Sequence, residues 1–147
     1  MNTKPTERKT ILLVEDNADD EALTVRALRQ FEQTDVNVAR DGAEALDYFF
    51  ANEGPGIQAS NLPDLVLLDL KLPKMNGLEV LRELRGNQST NVLPVVILTS
   101  SDERNDIKEG YRLGANSYVR KPVDYDKYQR VVRELAQYWL SINERPN

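Results

Sequence analysis

Four apolar runs in this chain stop on polar residues, and those residues share a chemistry. Glu15 and Asp16 follow Ile11-Leu12-Leu13-Val14, and Asp69 follows Leu65-Val66-Leu67-Leu68. Thr99 follows Val95-Val96-Ile97-Leu98, and Lys121 follows Ser117 to Arg120. Three carboxylates brought together repel one another unless a cation or protons compensate them. Mg2+ fits such a set, because it takes oxygen ligands and usually keeps some of its waters. Asp69 is then either a plain metal ligand or a nucleophile that accepts a phosphoryl group as an acyl phosphate. That attack needs charge neutralisation on the phosphoryl oxygens more than it needs a base. Lys121 can supply positive charge and Thr99 a hydroxyl donor. Taken singly, Glu15-Asp16-Asn17 reads as a helix-capping loop, Thr99 as a cap and Lys121 as a surface charge. Asp69 tips the balance, since a carboxylate closing an otherwise apolar strand has no packing reason to be there.

These residues meet only if the runs are neighbouring parallel strands. The pattern along the chain says that they are. Residues 1–9 read as a loose, flexible lead-in, and structure is expected from Thr10. Ile11 to Val14 is a short continuous apolar run, as in a strand covered on both faces, and a helix is expected from Ala18 to Phe31 after an Asn17 cap. Val36 to Ala39 is a second strand, and Asp41-Gly42-Ala43-Glu44 opens a helix through Phe50. A long loop, Asn52 to Pro63, carries Gly54-Pro55-Gly56 and reads as a surface insertion or a recognition loop. Asp64 to Asp69 is the third strand. Asn76 caps a helix that ends at Gly86, Val95 to Leu98 is the fourth strand, and Ser101-Asp102 caps a helix up to Gly114. Ser117 to Arg120 is the fifth strand. The last helix, Asp124 to Ile142, carries one stripe of Tyr128, Val131, Val132, Leu135, Trp139 and Ile142. Five strand-helix units predict an α/β fold, a doubly wound parallel sheet that binds ligands beyond the carboxyl ends of its strands.

Composition narrows the chemistry further. The 147 residues suit one domain, and 40% hydrophobic with 29% charged content is ordinary for a globular chain. Cysteine is absent, which excludes disulfides, thiol catalysis and thiolate metal sites. Histidine is absent too, so any metal should be hard and oxygen-bound. A net charge of -5 argues against sequence-independent contact with nucleic acid. No long apolar span and no charged-then-apolar amino terminus are visible, so the expectation is a cytoplasmic protein with no membrane partner.

Two more residues sit close to this set. Lys121-Pro122 is an X-Pro bond, where a cis peptide could aim Lys121 into the crevice. Tyr118 lies three residues before Lys121, and reads either as a half-buried aromatic on an edge strand or as part of a switch.

Over about Thr10 to Ile142 the chain resembles the receiver domains of two-component response regulators. The matching pieces are Val14-Glu15-Asp16-Asn17, Leu67-Leu68-Asp69-Leu70-Lys71-Leu72-Pro73, Met75-Asn76-Gly77, Leu98-Thr99-Ser100 and Lys121-Pro122. The resemblance implies the flavodoxin-like strand order 2-1-3-4-5 and a receiver domain over 10–147 with an extended carboxyl-terminal helix. It implies that Asp69 is the phosphoacceptor, and that Asp16, Asp69 and the backbone carbonyl of Lys71 bind Mg2+, with Glu15 acting through water or by orienting the site. Thr99 and Lys121 would contact the phosphoryl group, and Tyr118 would follow Thr99 as a switch. Glu15 stands where Asp is usual. Lys71 and Ser101 occupy positions that tune acyl phosphate lifetime.

The long middle loop, Tyr118 to Asp124 and Tyr138-Trp139-Leu140 further resemble the single-domain regulators of cyanobacterial phytochrome histidine kinases. That implies a histidine kinase partner, output through protein contacts alone with no output domain attached, and a homodimer through the face of the fourth helix, fifth strand and fifth helix. Other readings remain. A haloacid dehalogenase-type phosphatase needs a second Asp where Lys71 stands, a flavodoxin-like module would not place Glu15 to Asp20 against phosphate, and a degenerate receiver acting only as a scaffold would be expected to have lost part of the set.

Overall fold

The continuous apolar runs become the inner strands of a five-stranded parallel sheet. The computed structural model describes residues 8–51 and 62–146. The first seven residues of the lead-in and nearly all of the long middle loop, with its Gly-Pro-Gly, lie outside the described residues. β1 (Lys9–Val14) lies between β2 (Thr34–Ala39) and β3 (Leu65–Leu68), then β4 (Val95–Thr99), with β5 (Ser117–Arg120) at the edge. Every residue of β3 and β4 is buried, whereas β2 alternates and β5 is mostly half-buried. Coverage on both faces explains the unbroken apolar runs, and the edge position explains the polar residues of β2 and β5.

Successive strand residues point to opposite faces. Leu12, Val14, Val66, Leu68, Val95 and Ile97 face one core layer, completed by α2 (Gly42–Phe50) and α3 (Gly77–Arg85). Ile11, Leu13, Leu65, Leu67, Val96 and Leu98 face the other, completed by α1 (Ala18–Leu28) and α5 (Tyr125–Gln137). α4 (Arg104–Arg112) lies on the first face, with Gly110 close against Ile97 and Tyr118. Burying each Leu or Ile of these layers contributes about 1.5–3 kcal/mol, so the double coverage fixes the strands far more firmly than any local preference. Among the described residues no helix is long and apolar enough to cross a membrane.

The caps fall as the sequence indicates in three helices, and Asp124, expected as the first residue of the last helix, caps a fourth. Asn17, Asp41, Asn76 and Asp124 each accept a backbone N–H of the first turn of α1, α2, α3 and α5, an arrangement worth about 1 kcal/mol each. Elsewhere the structure departs from expectation. β1 begins at Lys9 rather than Thr10, because the Lys9 N–H donates to the Gln33 carbonyl at 2.8 Å, and Arg8 pairs with Asp35. α1 ends at Leu28 and not Phe31. α4 has Glu103 as its cap residue rather than Ser101-Asp102, and Glu103 makes no side-chain cap bond. Ser101 instead accepts the Glu103 N–H and donates to Asp106 at 2.6 Å. The last helix widens into a π-helical turn over Tyr138–Ile142, closed by the Asn143 N–H on the Tyr138 carbonyl at 2.7 Å. The wider turn rotates Ile142 out of the expected stripe, leaving it 60% exposed, while Ala136 is buried instead. The Lys121-Pro122 bond is trans, with no cis peptide among the described residues.

Candidate functional site

Each strand end is carried one residue further by a backbone hydrogen bond to its neighbour. The Glu15 N–H donates to the Ala39 carbonyl at 2.9 Å, the Asp69 N–H to Val14 at 3.0 Å, and the Lys121 N–H to Thr99 at 2.7 Å. The parallel register, with Val14 opposite Leu68 and Leu68 opposite Ile97, therefore sets Glu15, Asp69, Thr99 and Lys121 side by side. All four side chains are buried, and Asp16 beside them is exposed.

The Lys121 ammonium uses its three protons on three carboxylates. Its Nζ donates to Glu15 Oε1 at 2.7 Å, Asp20 Oδ2 at 2.8 Å and Asp69 Oδ2 at 2.7 Å. Asp69 is held at both oxygens, because its Oδ1 accepts from the Thr99 hydroxyl at 2.7 Å and from the Lys71 backbone N–H at 3.1 Å. Glu15 Oε2 accepts the Asn17 N–H at 3.1 Å. One carboxylate oxygen from each of Glu15, Asp16 and Asp69 lies within 4.8 Å of the others. One ammonium thus faces an excess of negative charge.

The protonation behaviour follows that imbalance. Burial pushes the Glu15 carboxyl up to about 7, Lys121 pulling it back and the Asp69 charge adding to the rise. Burial also pushes Asp69 up, but the Lys121 charge and hydrogen bond, with the Thr99 hydroxyl and Lys71 amide, outweigh it and leave Asp69 below the usual carboxylate range. Burial alone would lower the Lys121 amine, yet its bonds to Asp20 and Asp69 hold it above its ordinary value. The Lys121 and Thr99 contacts therefore favour the carboxylate form of Asp69, while burial works against that form in Glu15.

The donor set fits a hard divalent cation. Its carboxylates supply oxygen only, and exposed Asp16 leaves an open side where a Mg2+ ion could keep waters. Three residues contribute to the geometry in ways that the sequence does not indicate. Asp20 was legible only as part of an acidic loop, though its place one helical turn beyond Asp16 puts both over the same end of α1. Gly77 opens α3 directly against the loop after Asp69, where a Cβ would stand 2.2 Å from the Asp69 carbonyl oxygen. Ser101 links Thr99 to Tyr118: its N–H lies 3.5 Å from Thr99 Oγ1, and its carbonyl accepts the Tyr118 hydroxyl at 2.9 Å.

The model of the response regulator receiver domain family matches residues 11–133. The chain belongs to that family. A probable methanogenesis regulatory protein of Methanothrix harundinacea, FilR2, is 41% identical over 137 residues, covering 92% of this chain and 86% of its own length. Response regulator Rcp1 of Synechocystis is 34% identical over 139 residues, covering 94% and 93%. The crystal structure of the phosphorylated cyanobacterial phytochrome response regulator RcpA superposes with a TM-score of 0.86 at 37% identity, covering 95% of this chain and 99% of that one. This receiver is therefore close to the phytochrome response regulators in sequence and fold. The family is one of signalling proteins, and neither the phosphatase nor the flavodoxin reading is favoured.

Proposed function

We propose that this receiver is a phosphorylation switch in which Asp69 accepts a phosphoryl group from a partner histidine kinase, a phytochrome by its similarity to RcpA and Rcp1. The observation that carries the reading is the state of Asp69. It is buried with its carboxylate form favoured, and each of its oxygens already accepts from a donor suited to phosphoryl oxygens, Thr99 and Lys121. One Asp69 oxygen attacks phosphorus and its electron pair forms the new P–O bond. The bond from phosphorus to the donor's imidazole nitrogen breaks, and that nitrogen leaves with the pair. Lys121 and Thr99 then turn their protons to the transferred oxygens, a form of charge stabilisation that needs no reorganised water. Asp16, Asp69 and the backbone carbonyl of Lys71 would hold Mg2+, with Glu15 binding it through water or orienting the site, and the ion would supply positive charge to neutralise the phosphoryl oxygens.

The switch runs through Thr99, Ser101 and Tyr118. As the Thr99 hydroxyl follows the phosphoryl group, the loop at Ser101 shifts and the Tyr118 ring with it, changing the surface of α4, β5 and α5. This is a population shift between two states. Tyr111 and Tyr125 are exposed on α4 and α5, with Tyr138 just beyond, and support self-association through that face. Output by protein contacts, without nucleic acid, and a cytoplasmic location complete the reading. Lys71 and Ser101 set the lifetime of the acyl phosphate, and Lys71→Asn should change its decay rate.

Incubation with Mg2+ and acetyl phosphate, followed by intact mass, tests the central step. One added phosphoryl group that is absent in Asp69→Asn is expected. No gain, or a gain that persists in Asp69→Asn, would leave a scaffold without phosphorylation as the better account.

A further inference from the structure

We propose that Asp20 is the positioning residue for Lys121, an anionic anchor that holds the ammonium in place while the other carboxylates engage the incoming group. The proposal rests on the reading of Asp69 as the phosphoacceptor. Lys121 Nζ contacts Glu15, Asp69 and Asp20 at 2.7, 2.7 and 2.8 Å. Glu15 and Asp69 also belong to the oxygen cluster that fits a cation, and Asp69 is itself the reacting group. Asp20 is in neither set. It is therefore the one carboxylate contact that Lys121 keeps unchanged as the site fills.

The surroundings of Asp20 suit an anchor. Its backbone N–H is capped by Asn17 Oδ1 at 2.9 Å, and its carbonyl accepts the Thr24 hydroxyl at 2.8 Å. Thr24 Oγ1 in turn lies 3.0 Å from the hydroxyl of buried Tyr128 on α5, the helix that begins just after Lys121. The main chain of Asp20 is thus tied to the helix that follows the Lys121 turn, which limits how far Asp20 and Nζ can move apart. An ammonium left with Glu15 and Asp69 alone would follow whichever of them the cation or the phosphoryl group displaced. A mobile side chain would then have to be ordered during the reaction, which slows it.

The test is the rate of phosphoryl uptake from acetyl phosphate with Mg2+, read by intact mass, in Asp20→Asn, Asp20→Ala and Asp20→Glu, each first checked for an unchanged thermal midpoint. Losing one charge-assisted hydrogen bond to the ammonium should slow uptake about tenfold in Asp20→Asn and Asp20→Ala, with Asp20→Glu recovering most of the rate. Because Asp20 acts through Lys121, Asp20→Asn should add no further loss to Lys121→Met when the slow residual uptake is followed over hours. Equal rates in wild type and Asp20→Asn, or the same tenfold loss on both backgrounds, would overturn the role. If Lys121→Met takes up nothing measurable, the Glu and Asn variants decide: equal slowing in both overturns it. Wild-type protein that gains no phosphoryl mass, or gains it without Asp69, defeats the phosphoacceptor reading instead, so the two failures are distinguishable.

Discussion

At the amino end of the sheet Arg145 reaches back to Asp64, and at the carboxyl end Lys121 reaches into a ring of carboxylates. Both arrangements take charge out of water, and they are built on opposite plans. Asp64 is buried, its Oδ2 accepts the Thr10 N–H at 2.7 Å and its other oxygen pairs with Arg145. One negative group meets one positive group there. At the other end one ammonium meets Glu15, Asp20 and Asp69, with Asp16 alongside. A matched pair closes a structure, whereas an unmatched set is stable only as a partly satisfied state that more positive charge would improve. The contrast separates a brace from a site within one sheet.

The largest effect should come from removing the cation of the unmatched set. Lys121→Met leaves buried carboxylates without their counter-charge, and should cost about 3 kcal/mol in urea melts without metal. Millimolar Mg2+ should restore a good part of that loss by binding the folded state alone. Phosphoryl uptake should fall at least about a hundredfold, as for loss of one preorganised donor. A loss of stability that Mg2+ does not touch would put Lys121 in the same class as Arg145.

Gly77→Ala should be nearly as damaging to the fold for a purely steric reason. Its Cβ would press on the Asp69 carbonyl and on Leu70 Cα, both backbone, so nothing nearby can swing aside. A cost of about 2–3 kcal/mol and slower uptake are expected, since the loop that holds Asp69 must move. Arg145→Met should cost less, about 1–2 kcal/mol, because Asp64 keeps its bond to Thr10 and the Arg145 side chain is partly open to water. That loss should be the same with and without Mg2+, and uptake should be unchanged. A shift in uptake rate would show that the two ends are coupled.

The sequence reveals the two ends unequally. Asp69 and Thr99 are legible because each ends an apolar run, and a strand covered on both faces has no other use for a polar residue at its end; Lys121, after the half-buried edge strand, is legible only through its place beside them. Asp64 was read only as the start of a strand, and Arg145 not at all, since an ion pair across most of the chain leaves no local pattern. Asp20 is hidden for a similar reason: on α1 it is one acid among several, and only the approach of β5 selects it. Ile142 misleads because a 3.6-residue period cannot anticipate a π-helical turn. Ser101 looks like a helix cap because its hydroxyl does serve the start of α4, accepting from Glu103 and donating to Asp106, from two positions too early. The strand order was legible through the family resemblance, and the sheet carries it out.

The smallest effect tests whether a neutral buried pair beside the site behaves as a brace. Tyr128 shares a hydrogen bond with Thr24 between α1 and α5, and burial pushes its hydroxyl up to about 12, with the Thr24 bond opposing. The raised value means that the folded state favours the neutral phenol over the phenolate. Its contribution to stability is therefore complete below the ordinary value of 10, and is lost as pH rises from there through 12. Tyr128→Phe removes the hydroxyl and its partner's bond, and should cost about 1 kcal/mol at neutral pH. It should also flatten the alkaline limb, because the variant has no phenol to titrate at that position. Melts of both proteins between pH 9 and pH 12 would show the wild type converging on the variant as pH climbs. A gap that stays constant would mean that Tyr128 ionises as freely inside the protein as outside. The α1–α5 seam would then be wet enough to weaken the case for a limited separation between Asp20 and Lys121.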